Sequence, residues 1–173
     1  MSIAALVVAV LALVFTVGSF WWLNARKGSL EVAAPRTYAF VHAPQTVRLR
    51  LPLTFYNTGA KALIVADLQI AFDDEPTRTP FEWITTRSTL RPEEEDGFAF
   101  ATPFSIEGRN TAEVIAEFGD SLGWSPAPGS KHSLRLQAQI HPSMEWTDVV
   151  SFGWWAPPSA DVMTSYIAHR NAG

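Results

Sequence analysis

The sequence contains no cysteine, which excludes disulfide bonds, thiolate metal sites and a cysteine nucleophile. This absence leaves the cellular compartment open, because a cysteine-free domain is compatible with either side of a membrane. Positive charge is also scarce, since 13 Lys and Arg stand against 17 Asp and Glu and the formal net charge is −4. No basic stripe follows Arg26 and Lys27, so the composition argues against nucleic acid as a partner.

Metal-ligand patterns are missing as well. The four histidines have no i,i+2 or i,i+4 pair of the kind that commonly shares a metal ion. The acidic runs Asp73-Asp74-Glu75 and Glu93-Glu94-Glu95-Asp96 lack the alternating spacing of a calcium loop, and we expect both to be solvated loops. The sequence therefore predicts no metal site and no cofactor. The histidines concerned are His42, His132, His141 and His169.

The outstanding feature that is present is a long apolar run, Ile3–Leu23, which carries no charge. At ~1.5 Å per residue it is long enough to cross a hydrocarbon core of ~30 Å. Trp21 and Trp22 end the run with side chains that favour the headgroup region, and Arg26 and Lys27 follow as a polar stop. We predict one uncleaved transmembrane helix in the lipid bilayer, with residues 1–27 as the anchor and basic stop.

Two alternatives for this run fit less well. The core helix of a soluble domain would carry a polar face, which the run lacks. A cleaved signal peptide would have a basic start, a shorter apolar region and a nearby cleavage site, whereas Val32-Ala33-Ala34 lies beyond two basic residues. The excess of Lys and Arg after the run predicts, by the positive-inside rule, that the following domain lies in the cytoplasm. An extracytoplasmic location of the domain is the alternative.

Small side chains form a stripe along the predicted helix. Such a stripe lets two helix backbones approach closely, so we expect this face to pack against another membrane protein or a second copy of the chain. Ala4 and Gly18 lie off the stripe, and the general frequency of alanine in membrane helices is the alternative explanation. The residues of the stripe are Ala5, Ala9, Ala12, Thr16 and Ser19.

Residues 28–157 consist of short alternating runs separated by Pro, Gly, Asn and Asp. The clearest is Val47–Phe55, in which one face is apolar and Pro52 indicates an edge position or a bulge. A phase slip near Ala66-Asp67 predicts a second bulge, and Asn57-Thr58-Gly59 predicts a turn because Asn and Gly tolerate positive φ. The strand spacing favours one antiparallel β-sandwich. Residues 158–173 are predicted as a short C-terminal helix and tail, with Ser159 as the cap.

The stretch from Leu51 to Gly59, followed by Leu63–Phe72, resembles the accessory immunoglobulin-like domains of bacterial surface and membrane proteins. The resemblance covers a small part of the chain. It implies an immunoglobulin-like β-sandwich and indicates no ligand. The layout as a whole is similar to uncharacterised single-pass bacterial proteins with a short N-terminal tail.

A second resemblance concerns Gly119-Asp120-Ser121-Leu122, which is similar to the nucleophile block of the GDSL esterases and lipases. That family implies an α/β fold, downstream Gly and Asn oxyanion donors and a late Asp-x-x-His. The chain departs from this pattern on all three counts, and a serine without a base is a poor nucleophile. We therefore expect a turn at this block and no catalytic residue.

Tryptophan supplies the remaining functional signal. Trp124 lies in a Gly- and Pro-rich loop, and Trp154-Trp155 ends the last predicted strand, where adjacent side chains face opposite ways. We expect at least one of these three to contact a partner or ligand. The sequence thus favours a membrane-tethered, non-enzymatic interaction or assembly module. The alternatives are a ligand- or carbohydrate-binding module at the cell envelope and, last, a GDSL-type esterase.

Overall fold

The computed structural model describes residues 2–43, 46–91, 96–120, 126–156 and 167–171. Its N-terminal element is helix α1 (Ile3–Asn24), which follows the predicted apolar run. Ser2 caps the helix, because its Oγ accepts a hydrogen bond from the backbone N–H of Ala5 at 3.3 Å. None of the 22 residues of α1 is buried. The helix is long and apolar enough to cross a membrane, a test that a signal sequence also passes.

The rest of the described chain is one antiparallel sheet, which confirms the all-β class. The strands run in the order β10-β9-β4-β5-β8-β3-β2-β11, with β1 paired to β3, β6 to β5 and β7 to β4. Their bounds are β1 (Leu30–Val32), β2 (Thr37–Ala43), β3 (Thr46–Asn57), β4 (Leu63–Phe72), β5 (Phe81–Arg87), β6 (Phe98–Phe100), β7 (Phe104–Ile106), β8 (Thr111–Asp120), β9 (Lys131–Ile140), β10 (Trp146–Trp155) and β11 (Ile167–Arg170).

This sheet curls until its two ends meet, so the architecture is close to a barrel. The Tyr38 hydroxyl on β2 donates a hydrogen bond to the backbone carbonyl of Trp155 on β10. The rings of Tyr38 and Phe40 also pack on Trp154, with centroid distances of 5.8 and 5.3 Å. Burial raises the pKa of Tyr38 to about 12. The immunoglobulin-like β-sandwich is not confirmed, because a sandwich stacks two separate sheets and here one sheet closes on itself.

Period-two alternation builds the core of this curled sheet. On β3 the inward residues Val47, Leu49, Leu51, Leu53 and Phe55 are at most 1% exposed, as the sequence predicted. On one side, β3 pairs with β2 before Pro52 and with β1 after it. Among the described residues no strand pairs with Pro52 on that side, so the N–H that proline lacks is not needed there. The predicted bulge in β4 is confirmed by a register shift between Val65 and Asp67.

The predicted C-terminal helix is wrong over Ile167–Arg170, which forms strand β11. This strand pairs antiparallel with residues 37–40 of β2. A short helix has little stability of its own, whereas the edge of β2 offers backbone hydrogen bonds to an extended segment. Residues 158–166 of that prediction lie outside the described residues.

The junction between α1 and the sheet is formed by Asn57-Thr58-Gly59, the predicted turn. The backbone N–H of Thr58 donates to the carbonyl of Ser29 at 3.1 Å, and that of Ala60 donates to the carbonyl of Arg26 at 3.0 Å. Gly59 does not have the positive φ on which the prediction rested. Glycine is required at this position because the backbones of Gly59 and Gly28 lie very close together. A Cβ on Gly59 would lie 2.4 Å from the backbone nitrogen of Gly28.

Asn57 holds this turn from inside. Its side chain is fully buried, and its Oδ1 accepts from the backbone N–H of Gly59 at 2.9 Å. Its Nδ2 donates to the carbonyls of Lys61, Ile106 and Glu107 at 2.8, 3.1 and 3.2 Å. One amide group therefore ties the end of β3 to the turn before β4 and to the end of β7.

A buried ion-pair network lies on the outward face of β3, β5 and β8. Arg50 is 2% exposed and donates from Nε to Glu117 Oε2 and from Nη1 to Asp96 Oδ2, both at 2.7 Å. Arg87 completes the network with two hydrogen bonds of 3.2 Å to the Glu117 carboxylate. The network fixes the segment that precedes β6 against the sheet.

We expect Asp96→Asn to weaken the pH dependence of the unfolding free energy in acid. Burial raises the pKa of Asp96, but the hydrogen bonds and charge of Arg50, with hydrogen bonds from Thr89 and Ser88, outweigh it and hold the pKa below its ordinary value. A carboxyl with a lower pKa when folded stabilises the fold above its unfolded pKa of ~3.9, and that contribution is lost as the pH falls through the folded pKa.

Urea unfolding between about pH 7 and pH 2 measures this effect. The variant should lose part of the slope that the parent shows in the acid range, whereas Glu145→Gln, at an exposed carboxylate, serves as the control. Equal slopes for parent and Asp96→Asn would contradict the prediction.

Candidate functional site

A polar cluster lies at the end of the sheet far from α1, which we call the distal end. It forms because Phe72, the last residue of β4, pairs with Leu134 near the start of β9. The turn after β4 is thereby brought beside the residues that open β9, and the backbone N–H of Asp73 donates to the carbonyl of Ser133 at 2.9 Å. Its polar side chains are those of Ser130, His132, Asp74 and Glu75.

The geometry of this distal cluster centres on His132, which is 8% exposed. Its Nε2 lies 2.8 Å from Ser130 Oγ, and its Nδ1 lies 2.9 Å from Asp74 Oδ2. Its ring packs against Trp154 and Phe72 with centroid distances of 5.7 and 6.1 Å, which fixes the imidazole in place. A cavity of about 450 Å³ adjoins the cluster, and His132, Asp74, Lys131, Ser133 and Gly153 line it.

The order serine–histidine–aspartate resembles a hydrolase triad, but the hydrogen bonds run the wrong way for one. Ser130 Oγ donates to the backbone carbonyl of Ala127 at 2.6 Å, and a carbonyl oxygen can only accept. With its proton committed there, the hydroxyl accepts from His132 Nε2. A histidine that donates to the serine cannot act as its general base. Ser130 is therefore not an activated nucleophile.

The GDSL-like block is described only at its first two residues. Gly119 and Asp120 belong to strand β8, where they pair with Arg48 and Val47 of β3. The turn predicted at these two residues is therefore wrong. Ser121 and Leu122 lie outside the described residues.

A second surface lies at the seam where the two ends of the sheet face each other. This groove has a volume of about 950 Å³ and runs between Ser151–Gly153 of β10 and the segment Ala33–Thr37. Asn171 bridges it by donating from Nδ2 to the carbonyls of Gly153 and Pro35. The charged side chains that line the groove are Arg36 and Arg170, and neither forms an ion pair within the described part of the chain.

The predicted anchor residues all lie on or just after α1, and Trp22 and Arg26 at its end contact the sheet domain through their backbone carbonyls. None of the stripe residues is buried, so the face formed by Ala5, Ala9, Ala12, Thr16 and Ser19 is accessible. Trp21 and Trp22 are exposed as well, at 56% and 52%. Beyond them the Arg26 guanidinium lies 4.3 Å from the ring centroid of Trp22, and Arg109 Nη2 donates to the Trp22 carbonyl at 2.7 Å. Lys27 is exposed.

Of the tryptophans predicted as contact residues, Trp154 and Trp155 face opposite sides of the sheet, as strand alternation requires. Trp154 is buried in the core at 1% exposure, whereas Trp155 is 42% exposed and has Lys131 Nζ 5.5 Å from its ring centroid. Among the other tryptophans of the sheet, Trp83 is buried in the core and Trp146 is 38% exposed. Trp124 lies outside the described residues.

Sequence reasoning did not find the distal cluster. Ser130 and His132 have the spacing of two residues on the same side of a strand, which was the available local signal. Asp74 and Glu75 were assigned to a solvated turn, and both are indeed exposed. Their proximity to His132 depends on the register between β4 and β9, and a local pattern does not fix that register.

We expect Ser130 to be unreactive toward a fluorophosphonate probe, because its hydroxyl proton points to Ala127 and not to His132. Mass spectrometry of the probe-treated full chain measures labelling, with a known serine hydrolase as the positive control. Labelling of the parent chain that disappears in Ser130→Ala would show an activated serine and refute this assignment.

Comparison with solved structures shows distant structural likeness to known proteins. The chain is 17% identical in sequence to a crystal structure described as an ApaA protein from Bordetella pertussis, with a TM-score of 0.39. The similarity covers 77% of this chain and 97% of that one. At this distance the likeness supports no inference about function. No protein-family model and no curated protein sequence matches the chain.

Proposed function

We propose that this chain is a membrane-tethered, non-enzymatic interaction or assembly module. The observation that carries the proposal is the exposure of α1: its apolar side chains are uncovered along the whole helix and none packs into the sheet. Exposed apolar surface costs ~25 cal/mol per Å² in water, so a helix of this kind is stable in lipid or against another helix. The sheet domain then works at a membrane surface.

The proposed orientation places the sheet domain in the cytoplasm. It rests on the basic residues that follow α1, Arg26, Lys27 and Arg36, against none before it in the sequence. Arg109 adds a positive charge at the same end of the helix, where its hydrogen bond to the Trp22 carbonyl also complements the negative end of the helix dipole. Trp21 and Trp22 would then lie at the cytoplasmic headgroup level.

The partner that we propose for α1 is another transmembrane helix, including that of a second copy. The stripe of small residues defined above is uncovered, and a membrane supplies no hydrophobic drive between helices, so close packing of small side chains matters there.

For the domain, the features that support a partner contact are the seam groove, with its two arginines, and the exposed Trp155. The two arginines favour an acidic partner segment.

A ligand- or carbohydrate-binding module is the second candidate, and Trp155 favours it. Lys131, which lines the cavity beside the distal cluster, lies over the exposed ring of Trp155. Exposed aromatic rings can stack on sugars. This candidate requires an extracytoplasmic domain, so the membrane orientation decides between the two.

We expect Ala9→Leu to reduce association of the chain in mild detergent or in bilayers. The larger side chain would hold two helix backbones apart at the centre of the stripe. Ala4→Leu makes the same change off the stripe and is the matched control. Förster transfer between labelled copies, or co-purification of differently tagged copies, measures the association. Equal loss in both variants, or in neither, would contradict a specific packing face.

We expect protease to spare the sheet domain in intact cells and to cut it in inverted membrane vesicles. This result follows from a cytoplasmic domain, and a known cytoplasmic marker in the same samples controls for leakage. Cleavage in intact cells would place the domain outside and move the carbohydrate-binding candidate to the front. Release of the domain from washed membranes would refute the tether itself.

A further inference from the structure

We propose that Asp74, Glu75 and His132 bind a divalent transition-metal ion such as Zn²⁺ at the distal end of the sheet. The three residues come from two segments, the turn after β4 and the start of β9. This site uses no residue of the anchor stripe, its adjoining cavity shares Gly153 with the seam groove, and it does not depend on the proposed tethered role.

The spacing of the donor atoms fits a metal ion. One carboxylate oxygen each from Asp74 and Glu75 and a ring nitrogen of His132 all lie within 4.8 Å of one another. Around a tetrahedral zinc ion with bonds of ~2.1 Å, ligand atoms are ~3.4 Å apart. Because Asp74 and Glu75 are exposed on a turn, small rotations of their side chains bring the oxygens to that separation.

The hydrogen bonds of His132 fix which nitrogen faces the site. Ser130 donates to the Ala127 carbonyl, so its Oγ accepts from His132 Nε2, and Nε2 carries a proton. Nδ1 then faces Asp74 Oδ2 at 2.9 Å. Two acceptor atoms this close repel each other unless a positive charge or a shared proton lies between them, and a metal ion bound by both atoms supplies that charge. Metal-bound histidines typically have their other ring N–H oriented by an oxygen in this way.

The neighbouring basic side chains do not neutralise the carboxylates of Asp74 and Glu75 strongly enough to prevent metal binding. Asp73, their neighbour, is already paired with Arg135, which also pairs with Asp148. Glu75 has a long contact of 3.5 Å with Arg78, and exposed pairs of this kind contribute little. Two carboxylates neutralise the charge of a divalent ion.

The donor set also selects the class of metal. An imidazole nitrogen with two carboxylate oxygens suits Zn²⁺ and its first-row neighbours, whereas Ca²⁺ takes six to eight oxygen ligands. Three protein ligands leave a coordination position open toward the adjoining cavity of about 450 Å³. A water molecule or a ligand group would complete the coordination there.

Isothermal titration of the full chain in mild detergent tests the proposal. The protein carries a tag without histidines and is treated with a chelator that is then removed. We expect one Zn²⁺ per chain, with Ca²⁺ binding at least about tenfold weaker. Asp74→Asn and Glu75→Gln should each weaken Zn²⁺ binding by more than about tenfold. His141→Gln, at the opposite end of β9, is the control and should bind as the parent does.

Ser130→Ala provides a further test, because it retains all three ligands and removes only the group that orients His132. We expect it to weaken binding by roughly 10–100-fold, as changes to such orienting groups do. Circular dichroism and thermal melting confirm that each variant is folded. Absence of Zn²⁺ binding by the folded parent, or equal binding by parent, Asp74→Asn and Glu75→Gln, would overturn the proposal and leave His132 and Asp74 as an ion pair only.

Discussion

The rest of the structure depends on the buried amide of Asn57, which makes four hydrogen bonds at the point where the anchor meets the sheet. Each of its partners is a backbone group, and an unsatisfied buried group costs about 1–3 kcal/mol. The same turn brings Gly59 against Gly28, which allows the chain leaving α1 to enter the sheet beside β3. The turn at Asn57-Thr58-Gly59 therefore both ends β3 and holds the chain that follows α1.

Local patterns predicted the elements of this fold better than their assembly. The apolar run Ile3–Leu23, the alternation of β3 and the bulge near Ala66 are each visible in the pattern of neighbouring residues, and each is present. The closure of the sheet depends on contacts between β2 and β10, more than a hundred residues apart, such as the hydrogen bond from Tyr38 to Trp155. Strand β11 likewise forms by pairing with the edge of β2. The sequence of residues 167–170 alone does not reveal this pairing.

The candidate site shows the same division more sharply. The stripe along α1 could be predicted because helical spacing alone places its members on one face. The distal cluster could not, since Asp74 and His132 are 58 residues apart and meet through the register of β4 on β9. Trp155 could be predicted in part. Strand alternation required either Trp154 or Trp155 to face outward, but the closure of the sheet determines that it is Trp155.

The closure at Tyr38 and Trp154 has a consequence for crowding. Molecules held in a membrane by one helix diffuse in two dimensions and collide far more often than the same molecules in solution. A sheet with two open edges would then risk strand-to-strand aggregation among neighbours. Here β10 and the β2–β11 end face each other across a narrow seam. In the proposed membrane-tethered role, each copy would thus shield these two ends of its sheet from its neighbours in the membrane plane.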